Sequence, residues 1–142
     1  MIVFMYKSTT KLKVRYAETD QMGIVHHSNY YVYFETARED FIIGSGISYK
    51  DIEDMGIMMP LIETQCKYLQ GAKYADNLII ETTLEELTPI KVALQYRVIR
   101  EVDDKLIAEG KTIQAFVNKE NFKILNIKKK NPDFWSKLEK LK

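Results

Sequence analysis

Three observations predict an α+β domain in which an antiparallel sheet packs around one long helix. Tyr30, Tyr33, Phe34, Ala37 and Phe41 recur at the spacing of an amphipathic helix. From Met58 onward the pattern changes to strands, read at about 59–69, 78–87, 91–100 and 105–117. The links between them are short, which favours hairpins and an antiparallel sheet. A helix with one apolar stripe and a sheet with one apolar face each need cover, and each supplies the other's.

The elements follow in order. Residues 9–16 alternate Leu12, Val14 and Tyr16 with Lys11, Lys13 and Arg15, the pattern of a half-buried strand. A crowded polar segment comes next, residues 18–30, E-T-D-Q-M-G-I-V-H-H-S-N-Y. Ser28 or Asn29 suits the cap of the long helix, and Gly44 and Gly46 suit its stop. A shorter helix is expected from Ser48, with Asp51 as its capping partner and Gly56 at its end. The third strand is the clearest, with Val92, Leu94, Tyr96 and Val98 alternating with Ala93, Gln95 and Arg97. Gly71, Asp76-Asn77, Thr88-Pro89 and Asp103-Asp104 carry turn chemistry. A brief strand is expected over 123–127. Asn131-Pro132-Asp133 then opens a tail helix bearing Phe134, Trp135, Leu138 and Leu141.

The 142 residues, 46% hydrophobic, fit one domain, 1–142, with one core. Lys+Arg 21 against Asp+Glu 20 leaves no basic field, so no nucleic-acid partner is expected. The one cysteine, Cys66, can form no internal disulfide and reads as a small apolar filler. The start, M-I-V-F-M-Y-K-S-T-T, has no basic region before its apolar residues and reads as a strand or arm, not a signal peptide. No apolar run approaches the roughly 20 residues of a membrane span, so the expected compartment is the cytosol.

The polar segment has the parts of an acyl-transfer site. Asp20 lies between a strand and a helix whose first free N–H groups begin near residues 26–29. A helix start offers unpaired donors and about half a positive charge to a developing oxyanion. A nearby carboxylate can attack a carbonyl, or take a proton from water that does so. Gly23 lets the chain turn and approach a ligand closely. An ordinary loop acid that only caps its turn is the competing reading for Asp20.

The stretch V-R-Y-A-E-T-D-Q-M-G-I-V-H-H-S-N-Y-Y-V-Y-F-E-T-A-R resembles hotdog-fold acyl-CoA thioesterases of the 4-hydroxybenzoyl-CoA thioesterase type, including the YbgC-like members. Thr19-Asp20, Gly23, Ile24-Val25, His26 and Asn29-Tyr30 carry the signature, and K-Y-L-Q-G-A-K-Y-A-D-N-L-I-I-E-T-T-L extends it. The resemblance implies a curved sheet of about five strands wrapped around the long helix, in a homodimer or homotetramer. It implies acyl-CoA as substrate and no metal or other cofactor. Asp20 takes the position of the catalytic carboxylate, as nucleophile or general base. His27 takes the position whose backbone N–H polarises the thioester carbonyl. Gly23, Val25, His26 and Tyr30 would contact the substrate. Lys91 opens a strand near where the family holds phosphates, and Lys128-Lys129-Lys130 could add charge there. Pro89-Ile90-Lys91 departs from the small polar residues that relatives often carry.

Other readings compete for these residues. His26 and His27 could bind a metal with Glu18 and Asp20, but no HxH or HExxH spacing occurs. Glu35 is a helix carboxylate of the kind other hotdog thioesterases use, and pairing with Arg38 at i+3 is the expected alternative. A hotdog hydratase would need a shorter Asp-to-His interval with Asn-Pro before the His. A non-catalytic acyl-CoA or acyl-carrier-protein binding module, or an acyl-carrier-protein thioesterase, remains open to the same residues.

Overall fold

The computed structural model describes residues 5–142. Part of the expected N-terminal arm, residues 1–4, lies outside the described residues. Strand β1 (Lys7–Lys13) leads through a short 3-10 turn to the long helix α1 (Ser28–Gly44) and the short α2 (Tyr49–Asp54). Strands β2 (Ile57–Met58), β3 (Leu61–Tyr68), β4 (Asn77–Thr88), β5 (Lys91–Arg100), β6 (Lys105–Ala115) and β7 (Val117–Asn118) follow. Helices α3 (Ile127–Lys130) and α4 (Pro132–Glu139) close the chain. Five strands form one antiparallel sheet in the order β1–β4–β5–β6–β3, and β2 pairs with β7 beside it.

The sheet has one apolar face, as its sequence alternation requires. Ile80, Leu84, Leu94, Tyr96, Val98 and Ala108 are buried against α1, while Glu81, Gln95, Arg97 and Glu109 point outward. On the outer face Glu81 accepts from Lys7 and Arg97, both at 2.9 Å, and these partners hold its carboxyl below the usual range. Helix α1 buries Tyr30, Tyr33, Phe34, Ala37, Arg38, Phe41 and Ile42, a continuous stripe on one side. This is the hotdog arrangement that the resemblance implies.

The helix meets the sheet most tightly at Phe34. Its ring stacks on Tyr96 with centroids 4.4 Å apart, and Tyr96 lies opposite Gly110 in the β5–β6 register. A Cβ on Gly110 would collide with the Phe34 ring and come within 2.8 Å of the Gln65 carbonyl. Neither neighbour is free to move, since the ring is held by its stack and the carbonyl is backbone. Gly110→Ala is therefore expected to cost about 1–3 kcal/mol by overpacking. An unchanged melting temperature for the variant would contradict this.

Several expectations need correction. β3 does not form a hairpin with β4; it pairs with β6 at the far edge, and the chain crosses back along residues 69–76 before β4 pairs with β1. Long-range burial, not sequence adjacency, chose the partner. Neither Ser28 nor Asn29 caps α1: the cap residue is His27, and both side chains are used elsewhere. The brief strand expected over 123–127 is only an isolated bridge between Ile124 and Val117. There Asn126 accepts from the Lys129 N–H at 3.1 Å and starts α3 instead. Ser48 does cap α2, accepting from the Asp51 N–H at 3.0 Å. Phe134, Trp135 and Leu138 of α4 are buried, with Phe134 edge-on to Phe116.

Candidate active site

The polar segment is folded by short-range bonds. The Asp20 N–H donates to the Ile24 carbonyl at 2.8 Å, and the Gly23 N–H donates to the Asp20 carbonyl at 2.9 Å. Gly23 has φ of 81°, where a side chain would be strained. Asp20 Oδ1 accepts from the Met22 N–H at 2.8 Å, a turn that fixes the carboxylate's direction.

Glu18 anchors this turn to the helix. Its carboxylate is buried and accepts from the Arg15 N–H at 2.8 Å and the Tyr33 hydroxyl at 3.0 Å. Its own carbonyl accepts from the His26 N–H at 2.8 Å and from Asn29 Nδ2 at 3.0 Å. The Arg15 guanidinium is 3.3 Å away but exposed, so water screens it. In sequence Glu18 reads as a possible metal ligand, and Asn29 as a cap and as part of the Asn29-Tyr30 signature pair. Their shared role as the turn's anchor is visible only once the strand, turn and helix are assembled.

At the helix start the amides divide unequally. The Ser28 N–H donates to His26 Nδ1 and the Asn29 N–H to the His26 carbonyl. The His27 N–H has no acceptor among the described residues. It stands at the positive end of α1, beside a cleft of about 300 Å³. That cleft is lined by Asp20, Ile24, Val25, His27, Tyr30 and Tyr68, with Leu69 to Gly71 forming the far wall.

Sequence-derived candidates therefore separate. Asp20, Val25, His27 and Tyr30 share the cleft, and Gly23 shapes the turn beneath it. His26 faces away, its Nδ1 2.8 Å from the Ser28 hydroxyl and its ring stacked on His27 at 4.1 Å. Lys91 lies at the opposite end of β5 from the cleft, 4.0 Å from Glu86. Within one chain it does not reach Asp20's surroundings. Lys128 rests over the Trp135 ring at 5.8 Å. Burial pushes the Cys66 thiol up, which suits a filler more than a nucleophile. Tyr68 and the wall at 69–71 read in sequence as a strand end and a turn at Gly71, not as site residues. The wall is the crossover between β3 and β4, held by the Val25 N–H to Ala72 carbonyl bond at 2.8 Å and by Arg100, which donates to the Gly71 carbonyl at 3.3 Å.

The tyrosine wall is apolar in character. Tyr30 packs edge-on to Tyr33 and Tyr68 at 5.7 and 5.4 Å. Burial pushes the Tyr30 phenol up to about 12, and Cys66 adds a smaller upward push. Burial, then the bond to Glu18, raises Tyr33 as well. A raised phenol contributes its full stability below its ordinary value of 10.0 and loses it as pH climbs to about 12. Melting temperatures are expected to fall across that window; a flat profile there would contradict the assignment.

The fold and cleft define a class: an α+β protein in which an acidic residue and a helix-start residue whose N–H has no acceptor among the described residues line one half-apolar cleft. The chain belongs to the thioesterase-like superfamily, whose sequence model matches residues 14–134. A Bacillus subtilis (strain 168) protein provisionally named acyl-CoA thioesterase YneP is 33% identical over 97% of this chain and 99% of its own. The DHNA-CoA thioesterase of Staphylococcus aureus superposes with a TM-score of 0.89 at 30% identity, over 95% of this chain and 90% of that one. The hypothetical protein TT1821 of Thermus thermophilus gives a TM-score of 0.86 at 38% identity, over 95% and 99%. No helix among the described residues is long and apolar enough to cross a membrane.

Proposed function

We propose that the chain hydrolyses the thioester of an acyl-CoA, giving a carboxylic acid and free coenzyme A. The observation that carries this reading is that Asp20 and His27, whose N–H is unpartnered among the described residues, line one cleft. The thioester carbonyl carbon faces Asp20 and its oxygen faces the His27 amide. Asp20 drives the attack, either bonding to the carbonyl carbon itself or taking a proton from the water that does. Charge gathers on the carbonyl oxygen, where the amide and the helix start stabilise it. The carbon–sulfur bond then breaks and the coenzyme A thiolate leaves readily; where Asp20 itself has bonded, water then cleaves the acyl–Asp20 anhydride, freeing the acid and restoring the carboxylate. The Tyr30 and Tyr68 rings exclude water from the acyl side. His27 acts through its backbone; its ring stacks on that of His26.

The same reading makes the functional unit at least a homodimer, working in the cytosol. Strand β3 is a sheet edge with Leu61, Ile62 and Tyr68 exposed, and such an edge invites a second copy. The test is coenzyme A release from a panel of short, long and aromatic acyl-CoAs and acyl-carrier-protein thioesters. Saturable binding without release across the panel would favour the non-catalytic module.

A further inference from the structure

Arg38 is an unusual residue for the inner face of α1. It is only 6% exposed, yet no carboxylate of the described residues stands within 4.0 Å of its guanidinium. Residues 1–4 are Met-Ile-Val-Phe and carry no acidic side chain. The expected i,i+3 pair with Glu35 is not made. The Arg38 charge pulls the phenols of Tyr49 and Tyr96 down against the upward push of burial, and Tyr96 is bonded to Thr112 at 2.6 Å. A buried cation with no carboxylate in contact is costly and attracts one strongly in low dielectric.

This cation lines a groove of about 410 Å³ with Glu35, Glu39, Tyr49, Leu61 and Gln114. The two glutamates are exposed, where solvent screens them, while Arg38 is the buried charge of the groove and the one a desolvated anion would meet. The groove and the Asp20 cleft share one seam between α1 and β3. Leu61, at one end of β3, belongs to the groove; Tyr68, at the other end, belongs to the cleft. Antiparallel self-pairing of β3 about a two-fold axis between Thr64 and Gln65, the middle of the strand, would set Leu61 opposite Tyr68 of the second copy. Each groove is thereby brought against the other copy's cleft.

We propose that Arg38 of one copy binds the far end of the acyl group held at Asp20 of the other, and that the acyl groups selected end in a carboxylate. This rests on the acyl-CoA reading above. The planar guanidinium meets a carboxylate in two parallel bonds, and a methyl-ended chain leaves it unpaired. Arg38 is thus a specificity-determining residue acting across the dimer.

The test compares succinyl-, glutaryl- and adipoyl-CoA with butyryl-, pentanoyl- and hexanoyl-CoA. The wild-type ratio of kcat/KM, carboxylate-ended over methyl-ended, is expected to favour the carboxylate for at least one chain length. Arg38→Met is expected to lower that ratio by roughly 10- to 100-fold, and Arg38→Lys by less. Mixed dimers of Asp20→Asn with Arg38→Met chains hold one site made wholly of wild-type residues, so they are expected to regain the wild-type ratio. Hydrolysis with no carboxylate preference, or an equal loss on both series, overturns this proposal alone. Mixed dimers that regain nothing overturn the cross-copy assignment. Absence of hydrolysis on every thioester overturns the acyl-CoA reading and this proposal with it.

Discussion

Replacing Asp20 by Asn is expected to cut coenzyme A release by about 10²- to 10⁴-fold while leaving the fold intact. The amide is the same size, and its oxygen still accepts the Met22 N–H that orients the carboxylate at 2.8 Å. What is lost is the negative charge and the basicity, without which the residue neither attacks a carbonyl nor activates water. Because the His27 amide and the cleft walls are untouched, substrate affinity should survive, and the deficit should fall on kcat. Steady-state kinetics with a thiol-detecting reagent, alongside a melting curve, separates these effects. Hydrolysis by the variant at near wild-type rate would remove Asp20 from the mechanism.

Glu18→Ala is expected to damage both stability and turnover, although Glu18 does not line the cleft. Its removal leaves the Tyr33 hydroxyl and the Arg15 N–H without their acceptor, at about 1–3 kcal/mol for a buried group left unpaired. The Arg15 guanidinium adds little, since it is exposed. The larger consequence is positional. The Glu18 backbone holds the His26 amide and the Asn29 side chain, so a loosened Glu18 lets the turn bearing Asp20 drift from the helix start. A displacement of about 1 Å can cost roughly 100-fold in rate. Tyr33→Phe removes one of these bonds and should give a smaller loss of the same kind. If Glu18→Ala lowers the melting temperature but leaves kcat unchanged in the folded protein, the anchor serves stability alone.

Much of the fold is legible in the sequence where the signal is local. The stripe from Tyr30 to Phe41 has a helix's period, and the alternation from Val92 to Val98 has a strand's, because each element buries one side only. Partner choice is not local. The short link after β3 looks like a hairpin, yet β3 gains its pairing from β6, far along the chain. The strand expected over 123–127 fails because the Asn126 side chain supplies a helix cap that a count of apolar residues overlooks. The site divides in the same way. Asp20, Gly23 and His27 are crowded into one segment and draw the eye. Tyr68 and the wall at 69–71 become part of the cleft only because the crossover passes beside Ile24 and Val25. Arg38 reads as half of an ordinary helix ion pair until burial shows it without its partner.

The division has a consequence for how such a protein diversifies. The turn, its anchor and the polarising amide are held by bonds among residues 15–33, a single contiguous stretch. Other walls of the cleft and the groove come from the crossover, the two ends of β3 and the grooved side of α1, outside that stretch. Substitutions can therefore retune which thioester is accepted while the inherited chemical apparatus passes on unaltered. Descendants of one ancestral chain can divide substrates among themselves without reinventing the reaction.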